Sequence, residues 1–305
     1  MDKNKKIILS VVAIAVIVIA GVSTYFLIGL PAAKTSLLPS GQVPQGQVTV
    51  TGDITTPATL TVQDLSTLPL TNVTVTIKGV TGTYVGVTLL ELLNKAGASW
   101  DTGFITLIGS DGYSKIINFY QAYNSTLYSG KDIILAFAEN GKWLPGTSYG
   151  PFWLIAPGFS PSYDVYSVTQ INLQPWTISV TGTTNPMTLI SSNMTKYGVQ
   201  TVQAVFAPGG QPQITANWTG VSLWSILQAG GVPASASSVT VTGIDGYSQQ
   251  FNISQVQSIG ILIGYQENGQ YLTPSMGQPY RLVLTSADYK WGRYWVGWIA
   301  QVTVS

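Results

Sequence analysis

Hydrophobic and polar positions alternate along most of this chain, with one long exception near its start. From Ile7 to Leu30 no residue is charged. At about 1.5 Å per helical residue this run reaches about 36 Å, enough to cross a hydrocarbon core of about 30 Å. Tyr25, Phe26 and Leu27 stand where a cleavable signal peptide would carry small residues, which favours an uncleaved signal anchor. Lys3, Lys5 and Lys6 precede the run, and only Lys34 follows it closely. The positive-inside rule then predicts a cytoplasmic N-terminus, a single transmembrane helix in the cell membrane and an extracellular bulk. Residues 1–30 form the stub and anchor, and residues 31–46, with Pro31, Pro39 and Pro44, form an extended linker.

Beyond the linker the pattern is that of short strands, and it occurs twice. Val48-Thr-Val-Thr51 and Ile178-Ser-Val-Thr181 alternate as half-buried strands do. Thr88 predicts an N-cap with Glu91 closing a capping box, Leu89, Leu92 and Leu93 form one apolar helix face, and Gly97 ends the helix. Gly86-Val-Thr-Leu-Leu-Glu-Leu-Leu matches Gly220-Val-Ser-Leu-Trp-Ser-Ile-Leu, and Asp111-Gly-Tyr113 matches Asp245-Gly-Tyr247, both at an offset of 134 residues. Glu139-Asn-Gly141 matches Glu267-Asn-Gly269 at an offset of 128, which places a six-residue deletion in the second copy of the Tyr123–Lys131 loop. Ordered blocks at so long a period mean two whole domains, residues 47–174 and 175–305. The Asp-Gly and Asn-Gly pairs predict two-residue hairpin turns. Each domain reads as α+β, β-dominated, with a single short helix.

Composition narrows the chemistry. The chain has no cysteine and no histidine, so thiolate nucleophiles, Cys/His zinc sites, a Ser-His-Asp triad and haem ligation through histidine are excluded by inventory. Only 8% of residues are charged and the net charge is +1, which leaves no basic footprint for nucleic acid. Solubility then rests on neutral polar groups, a composition that suits a harsh milieu such as an archaeal envelope. Five Asn-x-Ser/Thr sequons, at Asn72, Asn124, Asn193, Asn217 and Asn252, mark a glycoprotein if the host glycosylates.

The order of motifs resembles a known family. Val50-Thr-Gly and Leu60-Thr-Val-Gln-Asp-Leu65 are followed by the Gly-Val-x-Leu helix entry, Asp-Gly-Tyr, the Asn-Gly hairpin and Gly277-Gln-Pro-Tyr-Arg-Leu-Val283. Together these resemble the sulfite-oxidase-type molybdopterin-binding oxidoreductase domain, across nearly all of both copies. The resemblance implies two tandem sulfite-oxidase-like domains and a molybdopterin cofactor whose metal is held by a cysteine shortly before the Trp-x-Gly-Val segment, here Trp218-Thr-Gly-Val221. This chain has Ile77-Lys-Gly-Val-Thr-Gly82 and Ala207-Pro-Gly-Gly210 there, with no sulfur. A pterin phosphate calls for several arginine or histidine donors. The chain has two arginines, Arg281 and Arg293, and Trp153 stands where Arg281 would be in the first copy. Arg281 and Arg293 are therefore weak cofactor-binding candidates, no catalytic or metal-binding residue is assigned, and no cofactor is expected.

Among residues free to act, Asp111 and Asp245 read as turn formers, and no Asp-rich loop offers a calcium site. Glu139 and Glu267 read as solvated. Trp291, Tyr294, Tyr113 and Tyr247 are the candidates for binding a ligand, and Trp295 and Trp298 read as core. Arg281 and Arg293 are expected to pair locally with Asp288. Three readings follow: an anchored, cofactor-free binding or structural module that contacts a cell-surface glycan or envelope protein; a molybdopterin-dependent oxidoreductase with atypical ligation; and a pilin-like filament subunit.

Overall fold

The computed structural model describes residues 37–145 and 150–305. The expected anchor at Ile7–Leu30 lies outside the described residues; among those described, no helix is long and apolar enough to cross a membrane. Residues 38–305 form one compact unit.

The first copy holds ten strands: β1 Gln47–Gly52, β2 Ala58–Thr61, β3 Thr71–Ile77, β4 Val80–Thr88, β5 Thr102–Gly109, β6 Ser114–Asn118, β7 Ile134–Glu139, β8 Lys142–Trp143, β9 Trp153–Ile155 and β10 Val168–Pro175. The second repeats them as β11 Ile178–Thr181, β12 Met187–Leu189, β13 Val199–Phe206, β14 Ile214–Ser222, β15 Ser238–Gly243, β16 Ser248–Asn252, β17 Ile261–Glu267, β18 Gln270–Tyr271, β19 Arg281–Leu284 and β20 Ile299–Val304. Each copy builds two five-stranded sheets. One has the order β2-β1-β10-β5-β6, the other β3-β4-β7-β8 with β9 also on β7, and the second copy follows suit. The last strand returns to lie parallel to the first, pairing Val50 with Ile171 and Val180 with Val302.

Alternation sets which residues fill the space between the sheets. Val48, Val50, Ile105, Leu107, Ile171 and Leu173 from one sheet meet Val85, Val87, Leu135 and Phe137 from the other, all buried in one cluster. The helix Leu89–Ala96 lays Leu89, Leu92 and Leu93 into that cluster, at about 2 kcal/mol for each leucine withdrawn from water. Thr88 caps it by accepting from the Glu91 N–H, and Gly97 ends it at φ +72°. The Glu91 side chain does not close the expected box; it lies partly exposed.

Gly86 and Gly220 have a specific cause. Both sit where β4 and β14 slip register against β7 and β17. A side chain would come within 2.1 Å of the Leu135 carbonyl or 2.4 Å of the Ile263 carbonyl.

Other expectations need revision. Short helices at Val62–Ser66, Phe119–Tyr123 and Thr126–Ser129, and at Ser191–Met194 and Ile253–Ser258, add to the single helix expected in each copy. Asn118 and Asn252 start two of them through capping boxes with Gln121 and Gln255, a pattern whose span is too short for an apolar period to reveal. The Thr126–Ser129 turn is the segment absent from the second copy. Asn140-Gly141 and Asn268-Gly269 do form turns with both residues at positive φ. The Asp-Gly pairs do not: Gly109 N–H bonds the Tyr113 carbonyl across a longer loop, and Asp111 and Asp245 accept the Tyr113 and Tyr247 N–H groups at 2.9 Å. Those carboxylates hold their own turn, so only the glycine takes positive φ.

Aromatic side chains close the boundary between the copies. Trp298, at φ +53°, is ringed by Phe119, Tyr120, Tyr123 and Trp176 at centroid distances of 5.1–6.1 Å. Trp176 is fully buried and donates to the Ile299 carbonyl at 2.6 Å. Trp100 stacks on Tyr271 at 4.2 Å. Trp298 is thus buried, as expected, but against its neighbour's helix as well as its own core.

Candidate functional site

The loop that would carry a cysteine ligand joins β3 to β4 and β13 to β14. In the first copy it is two residues, Lys78 and Gly79, at φ +50° and +84°, with Ile77 paired to Val80 across it. This is the mirror-image geometry that tight hairpins require. In the second copy Phe206 pairs with Ile214, and the seven residues 207–213 are fastened at their start: Ala207 N–H donates to the Lys290 carbonyl at 2.7 Å and Gly292 N–H to the Ala207 carbonyl at 2.9 Å.

Opposite this loop, Trp153 and Arg281 occupy equivalent places at the starts of β9 and β19, across from Ala136 and Gly264. The Arg281 guanidinium lies 4.2 Å from the centre of the Phe206 ring, and its Nη1 donates to the Met276 carbonyl at 2.6 Å. Burial pulls its pKa down to about 10, against an opposing pull from Glu267. Trp295 packs on Phe206 at 4.8 Å and on Trp218 at 5.1 Å, and its indole N–H is taken by the Tyr289 carbonyl at 2.8 Å. The space facing the loop in the second copy is filled with aromatic rings.

In the first copy Trp153 packs on Tyr84 at 5.0 Å and on Tyr166 at 4.3 Å. Asp164 stands where the second copy has Trp295, and a cleft of about 230 Å³ opens there between Ile77, Ser129, Lys131, Ile155 and Pro157. Burial pushes the Asp164 carboxyl up to about 6, against the Ala156 N–H and Lys78, which favour its charged form.

The sequence-predicted residues divide. Trp291 is 51% exposed, with the Lys290 ammonium over its ring. Tyr294 is partly buried against Tyr289, and Arg293 lies over it at 5.0 Å. Tyr247 donates to the Arg293 carbonyl at 2.5 Å, so Tyr247, Arg293, Tyr294 and Trp291 gather beside the Ala207 loop. Tyr113 makes the equivalent bond to the Ser162 carbonyl in the first copy. Neither arginine meets Asp288, contrary to expectation, because Arg281 is drawn under Phe206 and Arg293 onto Tyr294. Glu139 and Glu267 are partly buried rather than solvated; the Tyr84 hydroxyl is pushed up first by burial and then by the neighbouring Glu139 carboxylate.

Sequence reasoning missed Trp100 and Asp101. The signal was there: aligned with the second copy, they stand against Ala234 and Ser235.

A family model matches this chain twice, from residue 40 to residue 305. The oxidoreductase molybdopterin binding domain covers residues 40–175 and 165–305. The chain belongs to that family. A nitrate reductase [NADPH] of Beauveria bassiana is 27% identical over 131 residues, 40% of this chain and 14% of that protein. The chain thus spans about a seventh of that curated relative. The sulfane dehydrogenase SoxCD of Paracoccus pantotrophus matches with a TM-score of 0.38 at 18% identity, over 42% of this chain and 38% of that one.

Held against this family's cofactor, the residues present do not fit. The chain has no thiolate, the first-copy loop is a two-residue turn, and Arg281 is a lone arginine that lies on the Phe206 ring with its Nη1 on the Met276 carbonyl and its buried Nε without a partner among the described residues. Among the described residues no three acidic, histidine or cysteine side chains converge on a metal-sized space.

Proposed function

We propose that this family member works without molybdopterin, as a membrane-anchored binding module whose two domains lie on the outer face of the membrane. The observation that carries this reading is the Phe206–Trp218–Trp295–Arg281 cluster, which fills the space facing the second-copy loop. A pterin phosphate calls for several charged donors, and this space offers one arginine, whose guanidinium lies on the Phe206 ring. The binding surface in this reading is the C-terminal segment, where Trp291 offers an exposed ring beside Tyr294, Arg293 and Tyr247. Rigid aromatic rings with a nearby guanidinium give large contact area with little entropy lost, which suits a cell-surface glycan or an envelope protein.

The competing reading, a molybdopterin-dependent oxidoreductase with non-thiolate ligation, draws its support from the family alone. One experiment separates the two: elemental analysis for molybdenum on the purified full chain, with pterin fluorescence measured after denaturation. The binding-module reading predicts neither signal. Stoichiometric molybdenum with a pterin would overturn it.

A further inference from the structure

At the boundary between the copies one aromatic ring of the first packs into a wall of the second. Trp100, just before β5, stacks on Tyr271 of β18 with ring centres 4.2 Å apart and planes 7° from parallel, and it lies 5.6 Å from Tyr265 of β17. The stack is held in place. Gln278 donates to the Trp100 carbonyl at 2.7 Å, and the fully buried ring of Tyr280 meets Trp100 edge-on at 5.8 Å. Tyr271 is still 47% exposed, so the stack covers one face of its ring and leaves much of the rest open.

These three rings line a cleft of about 330 Å³ whose polar side is Ser191, Ser192 and Thr195, on and just after the short helix Ser191–Met194. No charged residue lines it. Asn193 fixes the helix start, its Oδ1 accepting the Ile190 N–H and its amide donating to the Thr188 carbonyl, both at 3.0 Å. The hydroxyls of Ser191, Ser192 and Thr195, like those of Tyr265 and Tyr271, make no hydrogen bond among the described residues. Burial, and then Tyr271, push the Tyr265 hydroxyl up, which keeps it a neutral donor. The fold does not call for this lining: the corresponding helix of the first copy starts on Val62, which is fully buried, and the position aligned with Trp100 is Ala234.

We propose that this cleft binds a neutral sugar. A pyranose ring presents a flat array of C–H groups that lies on an aromatic face, and a rim of hydroxyls that exchange hydrogen bonds with side-chain hydroxyls, each able to donate and to accept. The lining has both parts. It carries no charge, so an anionic or cationic ligand would leave water with nothing to balance it. The volume lies at the small end of the range for small-molecule sites, roughly 300–1,000 Å³, and rings already fixed by stacking lose little freedom when a ligand arrives. Because Trp100 belongs to the first copy and the rest of the lining to the second, the site exists only where the copies meet. It shares no residue with the Trp291 segment and does not depend on it.

The test titrates the full chain with D-glucose, D-galactose, D-mannose, N-acetyl-D-glucosamine and maltohexaose, read by tryptophan fluorescence and isothermal titration. The expected result is saturable binding of at least one of them with a Kd of about 10⁻³ M. Trp100→Ala weakens that binding about tenfold or more. Ser192 is exposed, so Ser192→Leu fills the cleft and weakens binding to a similar extent while the melting midpoint stays at the wild-type value, which separates loss of the site from loss of the fold. Tighter binding of maltohexaose than of glucose would assign the ligand to a glycan chain, and equal binding to a free sugar; either supports the site. Binding that survives both variants would overturn the proposal, as would binding abolished by Trp291→Ala alone, or no saturable binding of any of the five probes by the wild type.

Discussion

The guanidinium of Arg281 rests on the ring of Phe206, 4.2 Å from its centre. The resemblance made Arg281 a weak cofactor-binding candidate; its guanidinium packs on a ring and bonds a carbonyl. Arg281→Ala removes the stacking and the bond to the Met276 carbonyl together and is expected to lower stability by about 2–3 kcal/mol. Lysine restores only part of this, since it has no planar group to lay on the ring. Urea denaturation of the two variants checks the order.

Asp164 gives the first copy a pH signature. Its pKa in the folded chain is about 6, above the ordinary 3.8, with burial as the main cause. The folded state therefore binds the proton more tightly, so this group's favourable contribution is full below about pH 4 and is lost as pH rises through about 6. Asp164→Asn is expected to match the wild type near pH 4 and exceed it at pH 7.5 by about 1 kcal/mol, a figure discounted for the part of the group that solvent screens. Equal stability curves across that window would show that the carboxylate is relieved in another way.

Trp298 joins the two copies, since three aromatic rings of the first copy, Phe119, Tyr120 and Tyr123, close around it beside Trp176 of its own. Trp298→Ala opens a cavity of the size that costs about 3–5 kcal/mol. Calorimetry is expected to turn one unfolding transition into two. A single transition displaced to lower temperature would mean that other contacts suffice to couple the copies.

The five sequons are not equally open. Asn193 and Asn252 are tied into helix starts, and the Asn124 amide donates to the Tyr120 carbonyl. Asn72 and Asn217 lie exposed on β3 and β14. Expression in a glycosylating host followed by peptide mapping is expected to find glycan at Asn72 and Asn217 with higher occupancy than at Asn193.

The duplication was legible because its blocks carry backbone constraints that leave a residue-level mark: glycine where a strand slips register at Gly86 and Gly220, Asn-Gly where both residues take positive φ. The capping boxes at Asn118 and Asn252 were illegible as helices, since five or six residues hold too little apolar period. The missing thiolate was legible directly from the inventory, since the chain has no cysteine. That Arg281 would lie under Phe206 depended on a pairing 75 residues apart in sequence, and nothing local foretells it. The same holds for Trp100, which stacks on Tyr271 of the other copy; only a comparison of the copies, Trp100-Asp101 against Ala234-Ser235, marks that boundary as special.

Lys78 and Gly79 set what this turn can be made to hold. A ligand can be introduced into a loop by a single substitution where the loop has length to spare, and the second copy has seven residues there. A hairpin closed by two residues has none to spare. In the first copy a metal-sized cradle at this turn therefore calls for added residues, and a cysteine in place of one side chain would not supply it.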